Sequence, residues 1–222
     1  MSEVTDQSST RGYLELRLAL APPKPEFTSR VLLDAAEGAA IHTFGWPIGV
    51  VIHRDEYAPR PTTDGIVAEV SVPRQSYDFW SLRTNGDYYL LQSLFEDQRT
   101  TASLFADTRV VRVTESLLFC ARLYSRLGVN RSSVVHVGIR HGGLKGRHLR
   151  TANPLRFLAL DRTTVETRVD FELSATLAEL EDDLVSYVKR VCDPLFMVFD
   201  FFELSEGVYR DLVDGFVAGQ VR

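Results

Sequence analysis

Residues 77–95 read Y-D-F-W-S-L-R-T-N-G-D-Y-Y-L-L-Q-S-L-F, which is the clearest local structural signal in the chain. Two runs rich in aromatic and apolar residues, Tyr77–Thr84 and Asp87–Phe95, flank the pair Asn85-Gly86. An Asn-Gly pair between such runs is the preferred turn of a two-residue β-hairpin, because both positions tolerate a positive φ. The stretch therefore predicts two adjacent antiparallel strands.

Further strands are predicted on both sides of this hairpin. Tyr13–Leu18 alternates between apolar and polar residues, which is typical of a half-buried strand. Short apolar runs bounded by turn signals predict the others. These runs are Ile48–His53, Gly65–Val72, Val134–Arg140, Leu155–Leu160 and Val165–Leu173.

One long helix is predicted from Asp107, a residue type that caps helices, to about Leu127, where Gly128 ends it. Apolar residues recur at helical spacing along it and predict its buried stripe. They are Val110, Val113, Leu117, Ala121, Tyr124 and Leu127. The four arginines of this segment, Arg109, Arg112, Arg122 and Arg126, are expected elsewhere on its surface.

The last 50 residues are predicted to be helical. Thr176-Leu177-Ala178-Glu179 has the form of a capping box. Asp193-Pro194 predicts the start of another helix, since proline suits the first helical turn. Leu195–Phe202 is apolar nearly all round, which predicts a buried helix and leaves a buried strand as the alternative. Ser205 is the expected N-cap of a final helix that runs to about Val217.

These elements predict an α+β fold, with a mainly antiparallel sheet, one long helix and a C-terminal helical layer covering one face. Residues 11–222 are expected to form a single domain, and residues 1–10 a disordered tail. No apolar run reaches the roughly 18 residues of a membrane span, and no secretory signal is visible. Cys120 and Cys192 are expected to be buried free thiols. We therefore expect a cytoplasmic protein without a membrane partner.

The net charge of the chain is -5, which argues against a general nucleic-acid binder whose whole surface is basic. The charge is unevenly spread, however. Residues 131–162 hold seven Lys/Arg against one acid, and residues 163–222 hold five against thirteen. This asymmetry predicts a local positive face, unless the two regions neutralise each other across the fold.

Residues 140–150 read R-H-G-G-L-K-G-R-H-L-R, and we call this segment the basic turn. Glycine lets the backbone approach a ligand closely, and the cations attract phosphate or carboxylate. We predict an anion or nucleic-acid contact here. Its residues are Arg140, His141, Gly142, Gly143, Lys145, Gly146, Arg147, His148 and Arg150. The competing interpretation is a solvated hairpin whose glycines serve only the turn.

No catalytic or metal-binding motif accompanies the basic turn. It matches neither the P-loop nor the G-x-G-x-x-G pattern. His136, His141 and His148 are spaced by 5 and 7 residues, which fits no zinc pattern. We therefore predict no catalytic residue, no metal and no cofactor, although catalytic groups can also converge in space without a motif.

Five aromatic residues crowd the hairpin: Tyr77, Phe79, Trp80, Tyr88 and Tyr89. If they were exposed, they could stack on bases as in single-strand binding proteins. Aromatic residues in strands are far more often core or cross-strand pairs, and that is the expectation favoured here.

Four stretches resemble the C-terminal region of bacterial Schlafen-type, AlbA-domain ATP-binding proteins, some of which are transcriptional regulators or associated with phage defence. They are F-G-W-P-I-G-V-V at 44–51, Y-D-F-W-S-L-R-T-N-G-D-Y-Y-L-L-Q-S-L-F-E-D at 77–97, D-T-R-V-V-R-V-T-E at 107–115 and I-R-H-G-G-L-K-G-R at 139–147. In that family the ATP-binding function belongs to a separate N-terminal domain, which nothing at the start of this chain resembles. The resemblance thus implies an accessory domain that acts beside a separate ATP-binding domain or subunit, and it transfers no catalytic residue.

Three functions follow as hypotheses. The first is a non-catalytic intracellular recognition domain, whose basic turn contacts nucleic-acid phosphate or an acidic partner. The second is an assembly module, in which the C-terminal helices, including Leu195–Phe202, form a homo-oligomer or protein–protein interface. The third is an enzyme acting on a phosphorylated substrate, with His141 or His148 as acid or base.

Overall fold

The computed structural model describes residues 11–23, 26–41, 45–72, 76–100, 102–153, 158 and 160–220. The strands within them are β1 (Tyr13–Ala21), β2 (Arg60–Thr62), β3 (Gly65–Val72), β4 (Ser76–Arg83), β5 (Tyr88–Ser93), β6 (Ser103–Phe105), β7 (Val134–Gly142), β8 (His148–Arg150), β9 (Arg162–Thr163) and β10 (Arg168–Thr176). The helices are α1 (Ser29–Ala39), α2 (Ala106–Arg126), α3 (Leu177–Asp182), α4 (Leu184–Met197) and α5 (Glu206–Val217). The predicted tail 1–10 and most of the predicted strand Leu155–Leu160 lie outside the described residues.

Seven strands form one antiparallel sheet in the order β10-β7-β1-β5-β4-β3-β2. The predicted hairpin is confirmed, since β4 pairs with β5 and Gly86 adopts a φ of 90° in the connecting turn. The short strands β6, β8 and β9 form a second small sheet, in which β6 and β8 run parallel. The prediction of an α+β fold with a mainly antiparallel sheet is therefore confirmed.

Alternation along the strands gives the large sheet one apolar face. On β1, Leu14, Leu16 and Leu18 lie on this face and are buried. Helix α2 packs against it, with the Tyr124 hydroxyl donating to the carbonyl of Gly86 at 3.1 Å. The helix also contacts α1, α4 and α5, so a helical layer covers this face. The long helix is thus confirmed, although Asp107 lies inside its first turn and Phe105 is the N-cap.

The segment Ile48–His53 is not a strand, contrary to the sequence-based prediction. Gly49 has a φ of 69°, which lies outside the strand region. The backbone groups of the residues on either side of it form hydrogen bonds to side chains and not to a neighbouring strand. The N–H of Ile48 donates to Glu115 on α2 at 2.8 Å, and the carbonyl of Val50 accepts from the Trp80 indole at 2.7 Å. These side chains satisfy the backbone groups that a neighbouring strand would otherwise bond.

The C-terminal helices differ from the prediction at Asp193-Pro194. The capping box is confirmed, since Thr176 and Glu179 bond each other's backbone N–H groups. Pro194, however, lies inside α4 and starts no new helix. Asp193 accepts from the Tyr209 hydroxyl at 2.9 Å and pairs with Lys189, so its side chain ties α4 to α5 instead of capping a helix. The free energy gained by burying the apolar residues around Pro194 outweighs the loss of the one backbone hydrogen bond that proline cannot donate.

Two sequence features concern the environment of the chain. Among the described helices, none combines the length and the apolar character that crossing a bilayer requires. Cys120 and Cys192 are both buried and free, as predicted. Burial raises the pKa of both thiols, so neither is a reactive thiolate at neutral pH.

Gly49 provides a test of this packing. A Cβ at this position would lie 2.6 Å from the Phe119 ring, at a φ that side chains rarely adopt. We predict that Gly49→Ala lowers the free energy of unfolding by about 2 kcal/mol, measured by urea titration. Gly207→Ala is the control, because a Cβ there meets nothing within 4 Å and removing a helical glycine stabilises by about 0.5–1 kcal/mol. Equal stability of Gly49→Ala and the wild type would contradict the packing described here.

Candidate functional site

The basic turn connects the two sheets. Its first residues end β7 in the large sheet, and its last residues form β8 in the small one. Gly143 and Gly146 have φ values of 67° and 76°. A Cβ on Gly143 would lie 2.3 Å from the carbonyl oxygen of Arg11, and a Cβ on Gly142 would overlap the Tyr13 ring. The glycines at 142 and 143 are therefore needed for close packing of the chain itself.

Two of the arginines in the basic turn are held by acidic residues of the fold. Arg140 pairs with Glu15 at 3.1 Å and with Asp170. Arg147 is only 1% exposed and donates to both carboxylate oxygens of Asp97, at 2.6 and 3.0 Å. It also donates to the carbonyl of Ser103 at 2.8 Å. Both guanidinium groups thus fix the corner of the sheet.

The two histidines of the basic turn have different surroundings. His141 is buried, and its Nε2 has no hydrogen-bond partner. Burial, aided by the nearby Arg109, lowers the pKa of His141 to about 3, so the ring is neutral at physiological pH. His148 is partly exposed, and its Nδ1 lies 2.8 Å from Asp161. Only His148 can meet an external ligand in this conformation.

Lys145 and Arg150 are the exposed cations of the basic turn. Lys145 has no ion-pair partner in the described part of the chain, and Arg150 lies 4.0 Å from Asp161 with half of its side chain exposed. The nine predicted site residues are neighbours in the sequence, but the structure exposes few of their charged groups to a ligand. Ligand contact by the basic turn stays a prediction.

The large sheet has a second face, opposite the helical layer, whose side chains remain mostly half-buried or exposed. We call it the uncovered face. The strand register places one row of side chains across it, and these are Glu172, Gly138, Arg17, Tyr89, Ser81, Val67 and Arg60. A second row consists of Asp170, Arg140, Glu15, Leu91, Phe79 and Glu69. Cations, acids and aromatic rings are therefore interleaved on one surface.

A depression of about 710 Å³ lies in the uncovered face. The small residues Ala19, Gly138 and Ser174 on neighbouring strands make room for it. Larger polar and aromatic side chains also line it, namely Arg17, Arg83, Asp87, Tyr89, His136 and Glu172. Its volume falls within the range of ligand-binding pockets.

The alternation of β4 and β5 sends the aromatic residues of the hairpin to opposite faces. Trp80 and Tyr88 are buried under the helical layer, as expected for core residues. Tyr77, Phe79 and Tyr89 lie on the uncovered face and are half-buried, with the Phe79 and Tyr89 rings 6.2 Å apart. The expectation of core or cross-strand pairs thus holds for both sets, but one set remains open to a ligand.

Charged residues lie beneath the apolar face, where the sequence analysis did not expect them. Arg109 and Arg112 of α2 are buried and do not lie on the helix surface. Arg109 pairs with Glu96 at 2.7 Å, and Arg112 pairs with Glu115 at 2.7 Å. A buried charge requires such a partner, and Glu96 was not assigned to Arg109 because it precedes the helix in the chain.

Asp78 was also missed. It is 1% exposed, its Oδ2 accepts from Gln92 at 2.6 Å, and its Oδ1 has no hydrogen-bond partner. Burial raises the pKa of Asp78 to about 7. The sequence did contain a signal, because Asp78 alternates with Trp80 and Leu82 on β4, and residues two apart on a strand point to the same face. An ionisable residue at a core position of a strand is a candidate for function.

Searches of family models, curated proteins and solved structures each return no match for this chain. The resemblance to Schlafen-type, AlbA-domain proteins therefore stays a prediction. Function has to be inferred from the surfaces described above.

The buried carboxyl of Asp78 predicts a specific pH dependence of stability. Its pKa is raised from about 3.8 to about 7 in the folded protein, so the folded state binds the proton more tightly and stability falls as the pH rises through this window. Asp78→Asn removes this loss and keeps the bond from Gln92. We predict that the unfolding free energy of the variant, relative to the wild type, grows by at most about 4 kcal/mol between pH 4 and pH 8.

Urea titrations of both proteins at several pH values measure this difference. Asp214→Asn, which removes an exposed carboxyl on α5, is the control and should show a flat difference. A flat difference for Asp78→Asn as well would mean that Asp78 is not buried as described.

Proposed function

We propose that this chain is a non-catalytic recognition domain that binds single-stranded nucleic acid on the uncovered face. The observation that carries the proposal is the co-location of Phe79 and Tyr89 with Arg17 and Arg83, beside the depression. Aromatic rings stack on bases of any sequence, and arginines contact the phosphates between them. Duplexes are disfavoured, because their bases are already stacked on one another.

The mixed charge of the uncovered face limits the electrostatic part of this binding. Arg17 and Arg140 pair with Glu15, and Arg83 lies 3.5 Å from Asp64. Few cations are therefore left to neutralise phosphate, which agrees with the net charge of -5. Stacking supplies most of the affinity in this proposal, and a small number of phosphate contacts supplies the rest.

The basic turn contributes Lys145 and Arg150 to the phosphate contacts in this proposal. Strand β7 ends within the basic turn at Gly142, which the register places beside Tyr13 and Arg168 at one corner of the uncovered face. In this proposal, a nucleic-acid strand that crosses this corner reaches Lys145, which is exposed three residues further along the chain. In line with the resemblance, the domain would act inside the cell beside a separate ATP-binding domain or subunit.

The stacking residues give the first test of the proposal. We predict that the wild type binds fluorescein-labelled single-stranded oligonucleotides in an anisotropy titration, and that Tyr89→Ala weakens binding roughly tenfold through loss of one stacked base. Tyr187→Ala is the matched control, since Tyr187 is half-buried on α4, which belongs to the helical layer and not to the uncovered face. The same titration at several salt concentrations gives the slope of the logarithm of the binding constant against the logarithm of the salt concentration. We expect Arg83→Ala and Lys145→Ala each to reduce the magnitude of this slope by about 0.7.

Arg210→Ala, which removes an exposed arginine of α5, should leave that slope unchanged. Binding that neither Tyr89→Ala nor Arg83→Ala affects would refute the uncovered face as the site. Absence of oligonucleotide binding, together with salt-sensitive binding of an acidic protein, would instead favour the acidic-partner version of the recognition domain.

A second candidate function, assembly, is favoured by the corner after α4. Phe201 is 85% exposed, and both it and Asp200 adopt left-handed conformations, with φ values of 56° and 51°. Arg162 and Thr163 donate to Asp200 and hold this turn. Met197 and Leu160 are the other exposed apolar residues near it. The predicted buried helix Leu195–Phe202 is wrong in part, because α4 ends at Met197 and only Leu195, Phe196 and Phe199 are buried, while Met197, Asp200 and Phe201 are exposed and available to a second copy of the chain.

Phe201→Gly tests assembly without disturbing the turn, because glycine readily adopts a positive φ. If the corner joins two copies, light scattering will show a concentration-dependent dimer for the wild type and a monomer for the variant. A wild type that stays monomeric over the whole concentration range contradicts this second function.

A further inference from the structure

A second, smaller cleft of about 170 Å³ lies at the end of the hairpin, and we call it the Asp78 cleft. Six of its lining residues matter here: Trp46, Tyr77, Asp78, Gln92, Phe95 and Arg112. Tyr77 belongs also to the uncovered face, so the cleft borders the surface proposed to bind nucleic acid. Three aromatic side chains thus line a small cavity that has a carboxylate among its walls.

The polar groups of the Asp78 cleft are fixed by contacts to one another. The amide of Gln92 donates to Asp78 at 2.6 Å and to the carbonyl of Trp46 at 3.3 Å. Arg112 donates to the same carbonyl at 2.9 Å and to Glu115 at 2.7 Å. These contacts form a frame around Asp78, in which Arg112 is ion-paired with Glu115.

Asp78 Oδ1 is left without a partner inside this frame. A buried polar atom without a hydrogen bond is unusual in a folded protein and costs stability. Above its pKa of about 7 the Asp78 carboxylate only accepts hydrogen bonds, so a ligand that satisfies Oδ1 at such a pH must bring an N–H or O–H donor. The aromatic walls favour a flat ligand that can stack.

We propose that the Asp78 cleft receives a nucleobase that carries an exocyclic amine, with Asp78 accepting from that amine. The inference rests on the proposed function, because the base belongs to the strand bound on the uncovered face. Carboxylates are known to accept from the amine of cytosine, and adenine presents an equivalent donor. Thymine and uracil would place their carbonyl oxygens against the carboxylate, which repels them. The cleft therefore gives base preference to a surface that otherwise binds any sequence.

The test compares oligo-dA, oligo-dC and oligo-dT in the anisotropy titration. We expect the amine-bearing homopolymers to bind the wild type roughly tenfold more tightly than oligo-dT. Asp78→Asn presents an amide donor instead of an acceptor, so it should weaken the binding of oligo-dA and oligo-dC, strengthen that of oligo-dT, and thereby remove this preference. Asp214→Asn should behave as the wild type. A preference that persists in Asp78→Asn, or equal binding of all three homopolymers by the wild type, overturns the inference but leaves the proposed function standing.

A second measurement is independent of any variant and of strand binding. Calorimetry of the wild type with adenosine and with purine riboside, which lacks the exocyclic amine, isolates the cleft. Binding of adenosine but not of purine riboside supports the inference. If this result is obtained and no oligonucleotide binds, only the proposed function fails. Equal binding of the two nucleosides, or binding of neither, overturns it.

Discussion

The packing of α2 against one face of the antiparallel sheet is the interaction on which the rest of this structure depends. Together with the helices around it, α2 buries the inward side chains of the central strands, whereas the outward ones remain mostly half-buried or exposed. Because the side-chain period of a strand is two, each residue of the hairpin is committed to one face. Trp80 and Tyr88 stabilise the domain, whereas Phe79 and Tyr89, one position away, are available to a ligand. The division between core side chains and side chains open to a ligand thus follows from the pleat of the strands.

Electrostatics reinforces this division. Arginines that the charge pattern suggested for ligand contact are largely used within the fold, with Arg140 and Arg147 joining the basic turn to Glu15 and Asp97. Two buried titratable groups act on stability in opposite directions as the pH falls. Protonation favours the folded state at Asp78, whose pKa is raised, and the unfolded state at His141, whose pKa is lowered. Their effects partly cancel below neutral pH, so only variants separate them.

Local signals predicted much of this fold. The Asn85-Gly86 turn, the apolar stripe of α2 and the capping box at Thr176 are each determined by neighbouring residues, and each was predicted. The failures share one cause, which is long-range contact. Ile48 bonds to a side chain 67 residues away, and Arg147 pairs with an aspartate 50 residues away. No pattern within the basic turn reveals that its glycines pack on Arg11 and Tyr13, or that its arginines are already paired. The uncovered face likewise emerges only when the strand order brings distant residues into one row.

In the proposed function, the uncovered face of the large sheet binds the nucleic acid, and the helical layer does not. Ultraviolet crosslinking of a single-stranded oligonucleotide to the wild type, followed by mass spectrometry of the crosslinked peptides, tests it most directly. If the uncovered face binds the strand, crosslinks will appear in the peptides that hold Phe79 and Tyr89. Crosslinks confined to peptides of α4 and α5 would contradict it.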